Sequence, residues 1–484
     1  MTPVLDRARM TPVLDRSRIK PVFDRIAFWL LLALIVWAPI PLGSNRPWAW
    51  ALLEAWLFGI GLLWVVAFAR REIVAPPMLR VTAPVLVLLA LWLFYLLLQW
   101  LPLPPDWVRL LSPRAAEIQA GAAYLDPGRR FTLSLDPNAT FEFWLKSCAY
   151  VLAFVATVLL VRRRRRLLWL CGAIVATGLL QAVYGSLMHL GGADIIVLGT
   201  PIQHASQASG SYVNRNHLAG LLEMSLGIGI GMMIAQLEDK PARDWKTFAR
   251  DVLAVILSAK AALRVLLVVM VVALVMTRSR MGNTAFFASL LVTGLAALLL
   301  SRKSVPRGTI VLIASLILID VLVVGAWFGV ERTIKRIEQT TIEQVEERVD
   351  PSVYAIRIFD DYPAFGTGGG TFYTAFTRYR GRDIEPFYDH VHNDYMQVLT
   401  ETGVIGFLLA GLAVLWSYAC AVIALYRRRD PVARGVAFGA MMGITAIGIH
   451  STVDFNLQIP ANAMLFSILL ALGWLALHLG RERE

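Results

Sequence analysis

The sequence predicts an all-α polytopic membrane protein with about 12 transmembrane helices and a large outer loop that contains short amphipathic helices. Composition is the first observation behind this fold class. Of 484 residues, 57% are hydrophobic and only 17% are charged, and the mean hydropathy is +0.61, which a water-soluble domain could not hide from solvent. The second observation is that apolar runs of about 20 residues, the length that crosses a bilayer core of about 30 Å, recur along the chain.

Twelve apolar runs are predicted to span the membrane. They cover residues 27–43, 49–69, 81–101, 143–161, 167–189, 217–236, 254–276, 283–300, 308–329, 403–425, 433–450 and 462–479. In the seventh run, Lys260 and Arg264 lie in the first half, so an interfacial helix could form its beginning.

The basic residues of the connections fall on one side of the predicted bundle. With the N-terminal tail on that side, the clusters are Arg70, Arg71 and Arg80; Arg162 to Arg166; Lys240, Arg243, Lys246 and Arg250; Arg302, Lys303 and Arg307; and Arg427, Arg428, Arg429 and Arg434. Because translocation of positive charge is disfavoured, this side is predicted to be cytoplasmic. The net charge of +12 therefore reflects membrane orientation, and no nucleic acid is expected as a partner. The outer side receives the segments 102–142, 190–216 and 330–402.

The outer segments are predicted to contain short helices. In the first of them, an interfacial helix is expected to begin after Pro105, and Asn138 is expected to cap the fourth span. Residues 330–349 place isoleucine and valine at helical spacing with charges between them, which predicts an amphipathic helix. Asp350 and Pro351 then resemble the N-cap and first turn of another short helix.

A glycine-rich stretch, PAFGTGGGTF, follows this short helix, which carries Arg357 and is expected to end near Pro363. The stretch lacks the lysine of a nucleotide P-loop, so we reject a nucleotide-phosphate site. Its glycines permit a close approach of the backbone to a partner or a substrate.

Three short turns at the outer ends of predicted spans carry arginine, histidine and asparagine. They are SYVNRNHLAG with Asn214, Arg215, Asn216 and His217, TRSRMGN with Arg278 and Arg280, and HSTVDFNLQIPAN with His450, Asp454 and Asn456. Arginine on the outer side runs against the topological preference, so a partner of opposite charge is expected. A salt bridge to an aspartate, or contact with lipid headgroups, would account for any one of them. Three arginines in two short turns favour an anionic ligand, for which a pyrophosphate at the membrane surface is the obvious candidate.

The stretch DHVHNDYMQ, residues 389–397, is open to three interpretations. His390 and His392 on a strand would point to the same side and, with Asp389 or Asp394, could bind a metal, although two histidines at this spacing are a weak zinc signal. The histidines could instead cap the tenth span. We favour a catalytic or substrate-orienting histidine, because an imidazole near arginines can accept a hydroxyl proton.

Together these motifs resemble the O-antigen ligase/polymerase superfamily of bacterial envelope glycosyltransferases. The resemblance is carried by VNRNHLAGLLEM, TRSRMG, the block from YPAFGTGGGTF to HVHNDYMQVLTETGVIGF, and HSTVDFNLQIPANA. It spans about residues 200–460, whereas the first five predicted spans match in hydropathy alone. We therefore expect a basic cytoplasmic tail at 1–26, a transmembrane bundle at 27–190, and an O-antigen ligase/polymerase-like catalytic region at 191–480 that includes the periplasmic loop 330–402.

The resemblance implies an inverting, metal-independent reaction without a cofactor, in a C-type glycosyltransferase fold at the periplasmic face of the bacterial inner membrane. The donor would be an undecaprenyl-pyrophosphate-linked oligosaccharide. The acceptor would be a second lipid-linked glycan for a polymerase of O-antigen or exopolysaccharide, which we favour. For an O-antigen ligase, the acceptor would be lipid A core.

The same resemblance implies roles for individual residues. Arg215 and Arg280 would bind the donor pyrophosphate and stabilise its departure, and His392 would orient or deprotonate the acceptor hydroxyl. Arg278 is the alternative to Arg280, because Met281 stands between Arg280 and the glycine that the family motif places soon after its arginine. The other expected substrate-binding residues are Asn214, His217, His390, Asn393, Asp394, Arg357, His450 and Asp454.

Two proteins of other classes remain alternatives. A transporter or flippase of lipid-linked sugars would also span the membrane many times, but it needs a polar path through the bundle. Few ionisable residues lie deep in the predicted spans, namely Glu54, Glu223, Lys260 and Asp320. A structural subunit of an envelope assembly would tolerate substitutions at Arg215 and His392.

Overall fold

The computed structural model describes residues 22–124, 128, 130–191, 195–197, 200–202, 207–236, 259–300, 342–381 and 388–480. The predicted ninth span, 308–329, lies outside these residues, as does the first part of the amphipathic helix predicted at 330–349. The described residues are mainly helical. The exception is a short hairpin, in which strands β1 (Ile195–Val197) and β2 (Thr200–Ile202) pair antiparallel.

The helices are numbered in chain order. Their bounds are α1 (Val22–Trp37), α2 (Pro47–Ala69), α3 (Met78–Trp100), α4 (Pro105–Leu111), α5 (Pro113–Ala123), α6 (Pro137–Leu160), α7 (Arg164–Gly191), α8 (Arg215–Ile234), α9 (Ala259–Met276), α10 (Arg280–Leu300), α11 (Ile342–Asp361), α12 (Phe372–Tyr379), α13 (Asp394–Arg427), α14 (Pro431–His450) and α15 (Pro460–His478). Two 3₁₀ turns, Leu42–Ser44 and Asn456–Gln458, precede α2 and α15.

Nine helices within the described ranges are long and apolar enough to cross a membrane, namely α2, α3, α6, α7, α8, α10, α13, α14 and α15. A shorter apolar helix, Ala262–Met276, forms most of α9. The chain is therefore a helical, multi-pass membrane protein, as its composition predicts. The predicted end of the first span, at residue 43, is wrong, because α1 stops at Trp37 before Pro39 and Pro41, which have no backbone N–H to continue it.

Helices α8, α14 and α15 form the buried centre of the described bundle. Their apolar windows are 89%, 78% and 94% buried. Glycines bring α8 and α14 together, since a Cβ on Gly231 would lie only 2.1 Å from the carbonyl oxygen of Gly435, and one on Gly439 would lie 2.8 Å from that of Gly227. The two helices run antiparallel, so the start of α8 and the end of α14 lie at the same end of the bundle, called the site end below.

The long helix α13 is interrupted at Gly403, whose φ of +59° and ψ of −174° are not helical. The segment before α12 fills this break. The N–H of Val404 donates to the carbonyl of Pro363 (2.9 Å), while the carbonyls of Thr400 and Glu401 accept from the N–H groups of Thr367 (3.0 Å) and Gly368 (2.9 Å). Irregular backbone inside a membrane protein requires such partners, because lipid offers none. The glycine-rich stretch therefore approaches the backbone of α13 closely.

Side chains of α3 join the same backbone junction. The hydroxyl of Tyr95 donates to the carbonyl of Phe365 (3.0 Å) and to that of Thr402, and the amide of Gln99 donates to the carbonyl of Phe365 (2.6 Å). Both side chains are buried. These bonds fix the glycine-rich stretch and α13 to the N-terminal part of the bundle.

Two local predictions about helix starts are wrong. Asp136, not Asn138, caps α6: its carboxylate accepts from the N–H groups of Asn138 and Ala139, both at 3.2 Å. Asp350 and Pro351 do not begin a helix, because both lie inside α11 (Ile342–Asp361), which continues through Pro351. The helix predicted after Pro105 is present as α4.

Candidate functional site

The start of α8 places Arg215 at the site end. Asn214 is the N-cap of this helix, and its side chain accepts from the N–H of Asn216 at 2.9 Å. The guanidinium of Arg215, which is half-buried, donates to the side-chain oxygen of Gln207. Arg215 is therefore the first residue of the helix, where the helix dipole adds positive potential to its own charge.

The turn between α9 and α10 lies against the start of α8. The N–H of Ala208 donates to the carbonyl of Met276 (3.1 Å), and a Cβ on Gly282 would lie 2.6 Å from the Cβ of Ala219. Arg280 is the first residue of α10, and its side chain is exposed, as is that of Arg278. The first turns of α8 and α10 thus pack together, each beginning with an arginine.

Arg278 differs from Arg280 in its backbone. Its φ of +54° is a left-handed value, which is uncommon for a residue with a Cβ. The next residue, Ser279, accepts from the N–H of Gly282 at 3.1 Å through its hydroxyl and so caps α10. Arg278 therefore belongs to the turn, whereas Arg280 belongs to the helix start.

Phe455 is the centre of the site end. Three imidazole rings surround its side chain, with ring centroids at 4.7 Å for His217, 4.5 Å for His390 and 4.7 Å for His392. His390 stacks on the phenyl ring at an interplanar angle of 29°, and the other two meet it edge-on at 72° and 85°. We call these three residues the histidine cluster. They come from α8 and from the segment before α13, so Phe455 joins two motifs that are far apart in sequence.

Asp454 holds the same turn to α8. Its carboxylate accepts from the side-chain amide of Asn216, and the nearest ring nitrogens of His217 and His450 lie at 3.5 and 3.9 Å. Burial disfavours the charged form, but the neighbouring His217 and His450 and the N–H of Phe455 outweigh this effect and hold the pKa of Asp454 below its usual range. Asp454 is thus a buried anion at the base of the histidine cluster.

Asn393 and Asp394 connect the start of α13 to the turn that contains Phe455. Asn393 caps the helix by accepting from the N–H of Met396 (3.0 Å), and its amide donates to the carbonyl of Thr452 (2.9 Å). Asp394 is buried and accepts from the hydroxyl of Ser451 at 2.7 Å. The cap of α13 is therefore an asparagine, and neither histidine fills that role.

His390 and His392 have different surroundings. The amide of Gln397 lies 2.9 Å from Nδ1 of His390, and burial lowers the pKa of His390, although the charge of Asp389 opposes the shift. This imidazole is therefore neutral at pH 7. His392 is half-buried, with its ring edge-on to Tyr388 at 6.0 Å, and its φ is +57°. Left-handed conformations of residues with a Cβ are found preferentially at functional sites.

Two other predicted residues are not members of the histidine cluster. His450 is fully buried, and its Nδ1 is 2.8 Å from the carboxylate of Glu223, inside the bundle. Arg357 is exposed on α11, where its guanidinium lies 5.0 Å from the ring centroid of Tyr354. Within the described ranges, no group of three or more histidine, cysteine, aspartate or glutamate residues is placed to hold a metal ion.

A comparison with protein families found a match for part of the chain. Residues 265–411 match a family model described as O-Antigen ligase. This range includes Arg278, Arg280 and His392 but not Arg215 or Asp454. A comparison with curated proteins gave no match. Residues 265–411 are thus similar to the O-antigen ligase family, in agreement with the resemblance that the motifs carry, and this similarity supports a glycosyltransferase activity of the O-antigen ligase or polymerase type.

Proposed function

We propose that the protein is an inverting glycosyltransferase that moves a glycan from undecaprenyl pyrophosphate to an acceptor hydroxyl at the periplasmic face of the bacterial inner membrane. The observation that carries the proposal is the juxtaposition, at one end of the bundle, of two arginine-bearing helix starts and the histidine cluster around Phe455. The match of residues 265–411 supports it at the level of the reaction type.

The main requirement of the reaction is to neutralise the negative charge that grows on the leaving pyrophosphate. The acceptor oxygen forms a bond to the anomeric carbon, the bond from that carbon to the pyrophosphate oxygen breaks, and its electron pair leaves with the undecaprenyl pyrophosphate. Arg215 and Arg280 would bind this leaving group, because a guanidinium at a helix N-terminus combines a permanent charge with the helix dipole. Preorganised positive groups of this kind can supply the largest single contribution to catalysis. With two guanidinium groups in this role, the proposed reaction needs no metal.

The proton of the acceptor hydroxyl would go to His392. Its ring contacts Phe455 and Tyr388, and it is more accessible than the buried His217. General-base help of this type contributes about 10²–10⁴-fold to the rate. The other two rings of the histidine cluster would hold Phe455, and through it His392, in position.

The preferred activity is that of a polymerase, in which the acceptor is a second lipid-linked glycan. The structure describes residues 342–381 and 388–402 of the large outer loop predicted at 330–402. The glycine-rich stretch of this loop is hydrogen-bonded to α13, whose first residues lie at the site end. The transporter alternative is disfavoured by Glu223, because this carboxylate is buried and paired with His450.

The test is transfer by the purified protein in nanodiscs, with a native undecaprenyl-pyrophosphate oligosaccharide and EDTA. The wild type is compared with Arg215→Ala, Arg280→Ala, Arg278→Ala and His392→Ala. Arg80→Ala serves as the control, because Arg80 is an exposed arginine on α3 with no part in the proposed site.

We expect a ladder of lengthened lipid-linked products from the wild type and the control. Arg215→Ala and Arg280→Ala should lower the rate at least as much as His392→Ala, and Arg278→Ala should lower it less. Transfer only after addition of lipid A core would identify a ligase. No transfer to either acceptor would refute the proposal and favour a transporter.

A further inference from the structure

A polar cavity of about 340 Å³ lies beside His390, between the N-terminal helices and the glycosyltransferase region. Its volume is within the range of small-molecule sites. One wall comes from α2 and α6, and the other comes from the segment before α13, from α13 itself and from the 3₁₀ turn before α15. The cavity is therefore formed by two parts of the chain, of which only the second overlaps the family match.

In the wall formed by the N-terminal helices, a lysine side chain packs over an aromatic ring. The ammonium of Lys146 lies 3.8 Å from the ring centroid of Trp50. Lys146 is half-buried, and within the described ranges it forms no salt bridge with a carboxylate. Glu142, one helical turn earlier, is exposed and also lines the cavity. The charges of Glu142, Glu54 and Glu401 act on this ammonium, but among the described residues none of these carboxylates forms a salt bridge with it, so the ammonium retains donors for a ligand.

The opposite wall is rigid and ends at the histidine cluster. Glu401 accepts from the N–H groups of Gly370 (2.9 Å) and Phe372 (3.1 Å) and from the amide of Gln397 (3.2 Å). Gln397 in turn contacts His390, whose ring lines the cavity and stacks on Phe455. A ligand in the cavity would thus touch the same imidazole that packs against the proposed catalytic centre.

The lining fits a ring that carries many hydroxyl groups. Arg46 and Lys146 offer donors, Glu142 offers acceptors, the amide of Gln458 offers both, and Trp50 offers an aromatic ring. The two cations of the lining, Arg46 and Lys146, face three carboxylates, Glu142, Asp389 and Glu401, so the cavity lacks the excess of positive charge that a pyrophosphate requires. A saccharide is therefore the class of ligand that this wall would recognise.

The position of the cavity indicates which saccharide it would take. In an inverting displacement, the acceptor must approach the anomeric carbon from the side opposite the leaving group. Helices α8 and α10, which carry Arg215 and Arg280, contribute no residue to the described wall. Phe455 lies between His217 of α8 and His390 of the cavity. The cavity is thus separated from the arginines by the histidine cluster.

We infer that this cavity binds the acceptor sugar, and that Trp50, Glu142 and Lys146 of the N-terminal helices select it. The inference rests on the proposed function, since it names the substrate that one side of the same site would hold. It assigns a recognition role to α2 and α6, which lie outside the residues that match the family.

The test uses the oligosaccharide released by mild acid from the native lipid-linked repeat unit. Lacking pyrophosphate, this probe can act as an acceptor but not as a donor. Lys146→Met keeps an apolar stem over Trp50 and removes the charge, and Glu142→Gln keeps the shape and removes the charge. Arg80→Met is the control, because it removes an exposed cation outside the cavity.

For both cavity variants we expect the KM for the acceptor to rise at least tenfold. The KM for the lipid-linked donor and kcat at saturating acceptor should change less than threefold, as should all constants of the control. Direct binding of the probe, measured by isothermal titration calorimetry in nanodiscs, should weaken tenfold in the variants. An unchanged acceptor KM, or a loss confined to kcat, would overturn the inference.

Failure of the proposed function gives a different result. If the wild type transfers no glycan but binds the probe, and Lys146→Met and Glu142→Gln weaken that binding, the cavity is a saccharide site in a protein of another activity. If the wild type does not bind the probe, or if folded variants bind it equally well, the cavity is not a saccharide site. Thermal unfolding of each variant establishes that it is folded.

Discussion

Phe455 contacts all three rings of the histidine cluster, and it follows Asp454, the buried carboxylate beside His217. The two residues have different roles: Phe455 positions the imidazole rings by packing, and Asp454 positions His217 by its charge. A single turn between α14 and α15 therefore supports histidines from two distant parts of the chain. In the proposed reaction, the position of His392 depends on this phenyl ring.

Replacing Phe455 with leucine should lower the rate of transfer strongly and the free energy of unfolding only slightly. Leucine keeps an apolar side chain but removes the flat surface against which the three imidazoles rest, so we expect a loss on the order of tenfold to 100-fold in kcat. The free energy of unfolding should fall by about 1 kcal/mol. The comparison is Phe154→Leu, a buried phenylalanine of α6, which should lower the unfolding temperature with little change in kcat of the folded protein. Equal kcat losses in both variants would show that Phe455 has no special role.

The buried imidazole of His390 should make stability depend on pH. Burial lowers its pKa to about 4 in the folded state, whereas the ordinary value is 6.5, so the unfolded chain takes up this proton at higher pH. The contribution of His390 to the free energy of unfolding should therefore decrease as the pH falls from about 6.5 towards 4. Asp454 contributes little above about pH 5, because its pKa lies below this value both in the unfolded chain, where it is 3.8, and in the folded protein, where it is lowered further.

His390→Gln should reduce that decrease, because glutamine has no proton to gain. The measurement is the difference between the unfolding temperatures at pH 7 and pH 5 in detergent, for the wild type and the variant. On going from pH 7 to pH 5, the unfolding temperature of the variant should fall less, or rise more, than that of the wild type. If the wild type and the variant show the same change, His390 is not the buried base that its surroundings indicate.

At the level of elements, the glycine-rich stretch before α12 packs into the break of α13 and so connects α11 and α12 to the bundle. A Cβ on Gly403 would lie 2.3 Å from the carbonyl oxygen of Ala364, and one on Gly366 would lie 2.3 Å from that of Glu401. Both glycines have positive φ, at +59° and +70°. The two backbones cross so closely that neither position has room for a side chain.

Gly403→Ala should therefore destabilise the protein by ~3 kcal/mol or more, from strain and from collision with Ala364. Gly411→Ala is the matched control on the same helix, because no atom lies within 4 Å of the Cβ it would add. It should change stability by no more than about 1 kcal/mol. Thermal unfolding in detergent compares the two, and similar unfolding temperatures would contradict the close crossing.

The elements divide into those that sequence patterns predict and those that they do not. Apolar length predicts the spanning helices in the described residues, and the glycine-rich stretch predicts a close backbone approach. The break at Gly403 could not be predicted, because a glycine within an apolar run looks like any small residue of a membrane helix until the segment that packs against it is known. Pro351 was mispredicted for a related reason: the pair Asp350 and Pro351 is typical of a helix start, but the surrounding structure places it inside α11.

The candidate site shows the same division. Arginine, histidine and asparagine were detectable because they are unusual at the ends of apolar runs. Phe455 was not, since one aromatic residue among many carries no signal until the fold surrounds it with histidines. Likewise, Trp50 and Lys146 lie in helices whose sequence matches no motif, and only the packing of α2 and α6 against the site end forms their cavity.

Across the part of the molecule that the structure describes, basic connections lie at the end of the bundle opposite the histidine cluster. Arg162 and Arg166 form salt bridges with Asp24 at the start of α1, at 3.1 and 2.6 Å, and Arg164 lies 3.4 Å from Asp430 before α14. These contacts gather basic connections at the end of α14 opposite His450. The histidine cluster occupies the other end. Such a separation is the expected result of the preference for positive charge in the cytoplasm.

This separation predicts the orientation in the membrane. Tyr124, at the end of α5, is 90% exposed and belongs to an outer segment, whereas Arg429 is exposed among the basic residues. In spheroplasts, Tyr124→Cys should react with a membrane-impermeant maleimide, and Arg429→Cys should react only after lysis. The native cysteines give a low background, because Cys171 and Cys420 are buried and Cys148 is partly buried, and the unsubstituted protein measures it. The opposite labelling pattern would place the histidine cluster in the cytoplasm, where a periplasmic transfer to a lipid-linked or lipid A acceptor could not occur.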